Sequence, residues 1–186
     1  MYQVDVIAFV PIVEDGWDNV LQEAKDANIP VIIVDRHVNA DESMYAGFLG
    51  ENGILEGKKA AEFLVKKCSN SKNQVNILEF SGTENSSVAT ERSTGFRSII
   101  STDSKFNIVH SEDGDFLTSR GKEIMDNLLA ENKTLSWKGQ QINAIYSHND
   151  SMTLGFLDSL QTHNINTSDV IIISIDDSAI FSTCPE

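Results

Sequence analysis

Cysteine is almost absent from this 186-residue chain. Cys68 and Cys184 stand far apart with no partner spacing, so they fit neither a zinc site nor a disulfide framework. Both read as free thiols, Cys68 on the apolar face of a helix. Basic residues are also scarce, 14 Lys and Arg against 28 Asp and Glu, giving a formal net charge of −14. Neutralising phosphates takes clustered Lys and Arg. No such block occurs, which argues against non-specific nucleic-acid binding. The acidic residues are dispersed and read as a solvated, self-repelling surface. No apolar run approaches the roughly 20 residues of a membrane helix. The opening segment Met1–Ile7 carries Asp5 within its apolar run and no basic region before it, so it does not read as a signal peptide. Any export address is expected outside this chain.

Enzyme signatures are missing as well. No G-x-G-x-x-G follows the first apolar run, and there is neither a P-loop nor a G-x-S-x-G elbow. The pair Asp176-Asp177 has no Lys or Thr partner of the kind phosphoryl transfer uses. His110 and His148, with Asp113 and Asp150, lack metal-ligand spacing. No metal and no cofactor is called for.

What the chain does have is rhythm. Its apolar fraction of 40% and charged fraction of 23% are those of a globular protein. Val4–Val10 reads as a strand stopped by Pro11. Trp17, Val20, Leu21, Ala24 and Ala27 then fall on one helical face, closed by Asn28 and Pro30. Val31–Val34 is apolar throughout, as in a parallel strand covered on both faces. A polar stretch over 37–51 holds a short strand candidate near Tyr45–Leu49. Helical spacing returns with Ile54, Gly57, Ala61, Leu64, Val65 and Cys68. Strands follow at Val75–Phe80, Phe106–His110, Ile142–Ser147 and Val170–Ile175. Helices lie between them at Val88–Ile99, Thr118–Glu131 and Ser151–Gln161. Repeated βα units of this length specify an α/β fold of doubly wound parallel sheets.

In open α/β sheets ligands bind beyond the carboxyl ends of the strands. Polar residues collect there: Asp35-Arg36, Ser81-Gly82-Thr83, His148-Asn149-Asp150 and Asp176-Asp177. Carboxylates, amides and guanidinium forks match the hydroxyls of a sugar, and a ring such as Phe116 or Trp17 can cover its C–H face. Simpler roles compete. An Asp after a strand is more often a helix cap than a ligand group, and Trp17 is more often core.

Taken together, certain stretches resemble the periplasmic type I sugar-binding proteins of the ribose/galactose-binding family. They are Ile29-Pro30 with Val34-Asp35-Arg36, Glu51-Asn52, Ser81-Gly82-Thr83, Glu91–Phe96, Gly114-Asp115-Phe116, His148-Asn149-Asp150 and Ser174-Ile175-Asp176. Within that family, Pro11–Asp18 and Val20–Ala27 are most similar to galactofuranose-binding proteins of bacterial ABC importers. The resemblance implies a two-lobed fold that closes over a monosaccharide. Residues 1–50 would form part of the N-terminal lobe and 51–186 most of the C-terminal lobe, with Glu51-Asn52 at the first crossing. It also implies sugar contacts from Asp35 and Arg36 on one side, and from Arg92, Phe116, Asn149 and Asp176 on the other, with Trp17 a weaker candidate. Asp177 stands where relatives usually carry a small residue.

By the same resemblance, the family's first βα unit would precede Met1, and further elements would follow Glu186. The expectation is of a fragment incomplete at both ends that alone binds sugar weakly or not at all. A non-enzymatic importer receptor, periplasmic or at the cell surface, monomeric and handing sugar to an ABC permease, leads the functional readings. A regulator of the lactose-repressor type and a membrane sensory receptor remain as alternatives, and an α/β enzyme fits least.

Overall fold

The structure is a computed structural model describing residues 4–132 and 134–176. Within them two separate parallel sheets form, one after the other along the chain.

The first sheet has the order β1-β2-β3, with β1 at Ile7–Phe9, β2 at Val31–Val34 and β3 at Gly47–Leu49. Helix α1 (Asp18–Asp26) joins β1 to β2 and buries Leu21 and Ala24 against Val31 and Ile33. Asn28 ends it in the left-handed region at φ 55°, and Ile29 N–H returns to the Ala24 carbonyl at 2.9 Å. Asn tolerates that conformation because its short amide bonds locally. β2 departs from expectation. Val31 and Ile33 are buried while Ile32 and Val34 are only half-buried, so the strand is not covered equally on both faces. The reason is that α1 covers one face, and among the described residues no second helix packs on the other. The polar stretch 37–51 holds one 3₁₀ turn at Glu42–Met44, capped by Asp41, and then β3.

From β3 the chain passes through Gly50–Asn52 into α2 (Gly53–Lys67), which packs on the second sheet. There follow β4 (Val75–Ser81), α3 (Ser87–Ile100), β5 (Phe106–Asp113) and α4 (Thr118–Asn132). A hairpin of β6 (Ser136–Trp137) and β7 (Gln140–Gln141), β8 (Ala144–Ser147), α5 (Asp150–Thr162) and β9 (Ile171–Ser174) complete the order. The second sheet runs β5-β4-β8-β9, all parallel. Alternation along β4 splits its core in two. Val75 and Ile77 face α2 and α3, where Phe96 stacks on Tyr146 at 4.0 Å. Leu78 and Phe80 face α4 and α5, with Met125, Met152 and Phe156. Burying each such side chain contributes about 1.5–3 kcal/mol.

Close helix contacts set the spacing on the α2–α3 side. A Cβ on Gly57 would lie 2.1 Å from the Arg92 carbonyl oxygen, and one on Gly95 2.1 Å from that of Ile54. Only glycine lets these backbones approach so nearly. The sequence reading differs from the structure in further places, since β1 spans only Ile7–Phe9 of the expected Val4–Val10 and β8 begins at Ala144 rather than Ile142. β5 continues to Asp113 rather than ending at His110, because Ser111, Glu112 and Asp113 pair with Glu79, Phe80 and Ser81. The β6–β7 hairpin was not expected. It turns on Lys138 (φ 48°) and Gly139 (φ 80°), both at the positive φ that tight hairpin turns require.

Candidate functional site

Residues following the carboxyl ends of β2, β5, β8 and β9 meet the first half of α3 around one cavity. It measures about 200 Å³ and is lined by Asp35, Arg36, Val88, Arg92, Phe116, Asn149 and Asp176. Six of these are residues that the sequence singles out. The seventh candidate, Trp17, is not among them. It is half-buried beneath the first sheet, with its ring 4.7 Å from Phe9 and its Nε1–H bonded to the Val13 carbonyl at 2.8 Å. Asp177 and Cys184 lie outside the described residues. Cys68 is buried at the end of α2 with no disulfide among the described residues, and burial pushes its thiol pKa up.

Arg92 is the best-held group in the cavity. It sits on the buried face of α3, and each of its nitrogens has a protein partner. Nε donates to Glu56 at 2.8 Å, Nη1 to the His148 carbonyl at 2.5 Å, and Nη2 to Asp176 at 3.2 Å. A guanidinium carries five N–H groups, so donor capacity remains for a bound oxygen. Around it the carboxylates are unlike one another. Burial pushes Asp176 up, with Arg92 opposing. Glu51 is raised by its hydrogen bond with Glu56. At Glu56 burial acts upward, but hydrogen bonds from Glu51 and Arg92 outweigh it and hold the group low.

Arg36 comes from the opposite sheet. Its Nη1 donates to the Ile12 carbonyl at 3.1 Å, and Nε, buried and 3.7 Å from Asp35 Oδ2, has no hydrogen-bond partner among the described residues. A buried donor left without a partner is costly, and here it lies beside the cavity. The guanidinium also lies over the Phe116 ring, 5.1 Å from its centre.

Phe116 owes its place to the backbone. Asp115 and Phe116 have φ of 54° and 58°, left-handed values that residues with large side chains rarely adopt. Asp113 holds the turn by accepting from Asp115 N–H at 2.7 Å and Glu84 N–H at 2.6 Å. Gly82 seats the ring, since a Cβ there would stand 1.9 Å from Phe116 Cζ. Asp35 and Asp176, with φ of 68° and 93°, share this left-handed character, so three of the four strand ends at the cavity carry it.

Asn149 has two duties. Its Oδ1 accepts from Met152 N–H at 3.0 Å, capping α5, and its Nδ2 donates to the Phe116 carbonyl at 3.2 Å. The helix cap is therefore Asn149 rather than an aspartate. Sequence reasoning missed Val88 as a wall residue, although it lies one turn before Arg92, and missed Glu56, whose partnership depends on how α2 packs on α3. His110 and His148 lie apart. His110 stacks on Trp137 at 3.7 Å on the edge strand, whereas His148 is buried against Glu79. Among the described residues no group of His, Cys, Asp and Glu gathers to hold a metal, and no helix is long and apolar enough to cross a membrane.

This architecture is an α/β fold of parallel sheets with a polar cavity at the strand ends. The chain belongs to the periplasmic binding protein family, whose domain matches residues 2–182. Over 176 residues it is 38% identical to the galactofuranose-binding protein YtfQ of Escherichia coli, covering 93% of this chain and 53% of that protein. The ribose import binding protein RbsB of Escherichia coli is 30% identical over 171 residues, 92% of this chain and 53% of that protein. A crystal structure of a galactofuranose binding protein superposes with a TM-score of 0.85 at 36% identity, over 94% of this chain and 57% of that one. The arabinose-transporter binding protein of Shewanella sp. ANA-3, bound to alpha and beta-L-arabinofuranose, gives 0.83 at 35%, over 94% and 56%. The chain thus spans about half the length of the curated relatives it matches. Its fold is the type I periplasmic-binding-protein fold of parallel α/β sheets.

Proposed function

We propose that this protein is the solute-binding component of a sugar import system, gripping a galactofuranose- or galactose-like monosaccharide between two lobes. The lobes divide at residues 50 and 51, where the chain passes from the first sheet to the second. One observation carries the reading. Asp35 and Arg36 from the first sheet face Arg92, Phe116, Asn149 and Asp176 from the second across a cavity of about 200 Å³. Pockets for drug-sized ligands run from about 300 Å³ upward, so this one suits a single-ring ligand. Its donors and acceptors match hydroxyls. Both arginines already neighbour carboxylates, which fits a neutral sugar. The relatives are named as binding proteins, and we read the site as non-enzymatic, releasing its ligand unchanged. The relatives at 30% identity or more are named for sugar binding or import, which supports a receptor over a regulator. Such a receptor works as a monomer in the periplasm or at the cell surface and presents its closed form to an ABC permease. Closure is then a population shift driven by the ligand's better fit to the closed state.

A thermal-shift screen of the full-length protein against pentoses and hexoses, from micromolar to millimolar sugar, tests this. One sugar should stabilise the protein, and Asp35→Ala or Arg92→Ala should remove that stabilisation. Full stabilisation in both variants would dismiss the site assignment.

A further inference from the structure

One buried ionic group lies just behind the cavity without lining it. Glu79, in the middle of β4, and His148, after β8, have side chains wholly excluded from solvent. Glu79 Oε1 lies 3.3 Å from His148 Nε2 and accepts from Ser93 Oγ at 3.0 Å, while Oε2 accepts from Arg97. The other ring nitrogen, His148 Nδ1, lies 3.3 Å from Gly82 N. A backbone N–H can only donate, so Nδ1 is the unprotonated nitrogen and the ring proton sits on Nε2, directed at Glu79. These partners assign the tautomer. Burial pushes the His148 pKa down, in keeping with a neutral ring.

Each end of this unit touches the cavity wall at one remove. Gly82, held by Nδ1, is the seat of the Phe116 ring. The His148 carbonyl accepts from Arg92 Nη1, and Tyr146 Oη donates to the Arg92 carbonyl at 3.2 Å. If the imidazole proton moved to Nδ1, two N–H groups would face each other at Gly82, and the seat of Phe116 would shift.

We propose that Glu79 and His148 form a positioning dyad for the cavity: Glu79 selects the Nε2–H tautomer of His148, whose Nδ1 then fixes Gly82 and so the Phe116 ring. The proposal rests on the reading of the cavity as a sugar site, but its first readout needs no sugar. In ¹⁵N NMR of the purified protein, the His148 ring should show a protonated Nε2 and a bare Nδ1. In Glu79→Gln the amide oxygen stays with Arg97 and its NH₂ turns to His148, so the proton should move to Nδ1. The Gly82 amide and Phe116 ring resonances should shift with it, while far-ultraviolet circular dichroism stays unchanged. Affinity for the sugar found by the screen should fall about tenfold, or about 1.4 kcal/mol. Ser93→Ala removes a hydrogen bond to Glu79 but leaves the dyad, and should cost stability without moving tautomer or affinity.

A wild-type ring protonated on Nδ1 overturns the proposal. So does a moved tautomer with Phe116 resonances and affinity unchanged, or reduced affinity with the tautomer unmoved. If Glu79→Gln does not fold, Glu79→Asp, which draws the carboxylate back from His148, should give the same Gly82 and Phe116 shifts, and their absence counts equally against it. If the wild type binds no sugar, the sugar-site reading fails, while the Phe116 resonances still decide the dyad.

Discussion

The guanidinium of Arg36 lies over the ring of Phe116, 5.1 Å from its centre, and joins the two sheets across the cavity. Such a contact contributes about 0.5–1 kcal/mol when exposed and more when desolvated. A double-mutant cycle of Arg36→Ala and Phe116→Leu, read from urea unfolding, should return a coupling of about 0.5–1 kcal/mol. Leucine keeps apolar volume and removes the ring's quadrupole. Additive effects of the two changes would deny the stack any energetic role.

Gly82→Ala should disturb the cavity while sparing the fold. The added methyl would meet Phe116 Cζ at 1.9 Å, and overpacking of this kind costs about 1–3 kcal/mol. The ring can turn away toward the cavity, so sugar-dependent stabilisation should be lost and the circular dichroism spectrum retained. Normal sugar response in this variant would contradict the seat assigned to Gly82.

Trp17→Phe separates core from site. The indole's hydrogen bond to the Val13 carbonyl would go, at a cost of about 1 kcal/mol. The ring contact with Phe9 would largely remain, so the unfolding midpoint should drop slightly and the thermal response to sugar stay the same. A lost sugar response would return Trp17 to the binding site.

Acid should unfold the protein in two stages. His148 is pushed below its ordinary 6.5 by burial, so the unfolded chain takes up its proton first, and stability declines as pH falls below that value. At Glu79 burial acts upward, but hydrogen bonds from His148 and Ser111 and the charge of Arg97 outweigh it and hold the group at about 2, against an ordinary 4.5. Its contribution is complete above pH 4.5 and fades as pH drops toward 2. Asp176, raised by burial, and Glu51, raised by Glu56, act in the opposite sense from more exposed positions. Urea midpoints between pH 7 and 3 should fall throughout, and Glu79→Gln should flatten the lower part. A level midpoint from pH 6.5 to 4 would refute this pair's role.

Much of this was readable beforehand because periodicity and strand-end chemistry are local signals. Val31–Val34 and Val75–Phe80 announce strands by their apolar runs, and Leu21 with Ala24 announces a helix face. Asp35, Arg36, Asn149 and Asp176 are visible as polar groups where a parallel sheet binds ligands, whereas Arg92, within a helix, is marked only by the family resemblance. What stayed hidden depends on tertiary partners. Ser111–Asp113 belong to β5 only through backbone pairing with β4, which leaves no mark on side-chain pattern. Ser136–Gln141 is too short and polar to show alternation. Glu79 looks like an ordinary outward residue of a half-wet strand until α3 brings Ser93 and Arg97 over it. The left-handed backbone at Asp35, Phe116 and Asp176 has no signature in those residue types beyond the tolerance of aspartate.

Arg92 meets Glu56, His148 and Asp176 in the protein alone, so its long side chain is frozen when the chain folds. Nothing about it remains to be ordered when a ligand arrives. The rate of capture should then be insensitive to changes at Glu56, which would loosen the guanidinium and shorten the residence time instead.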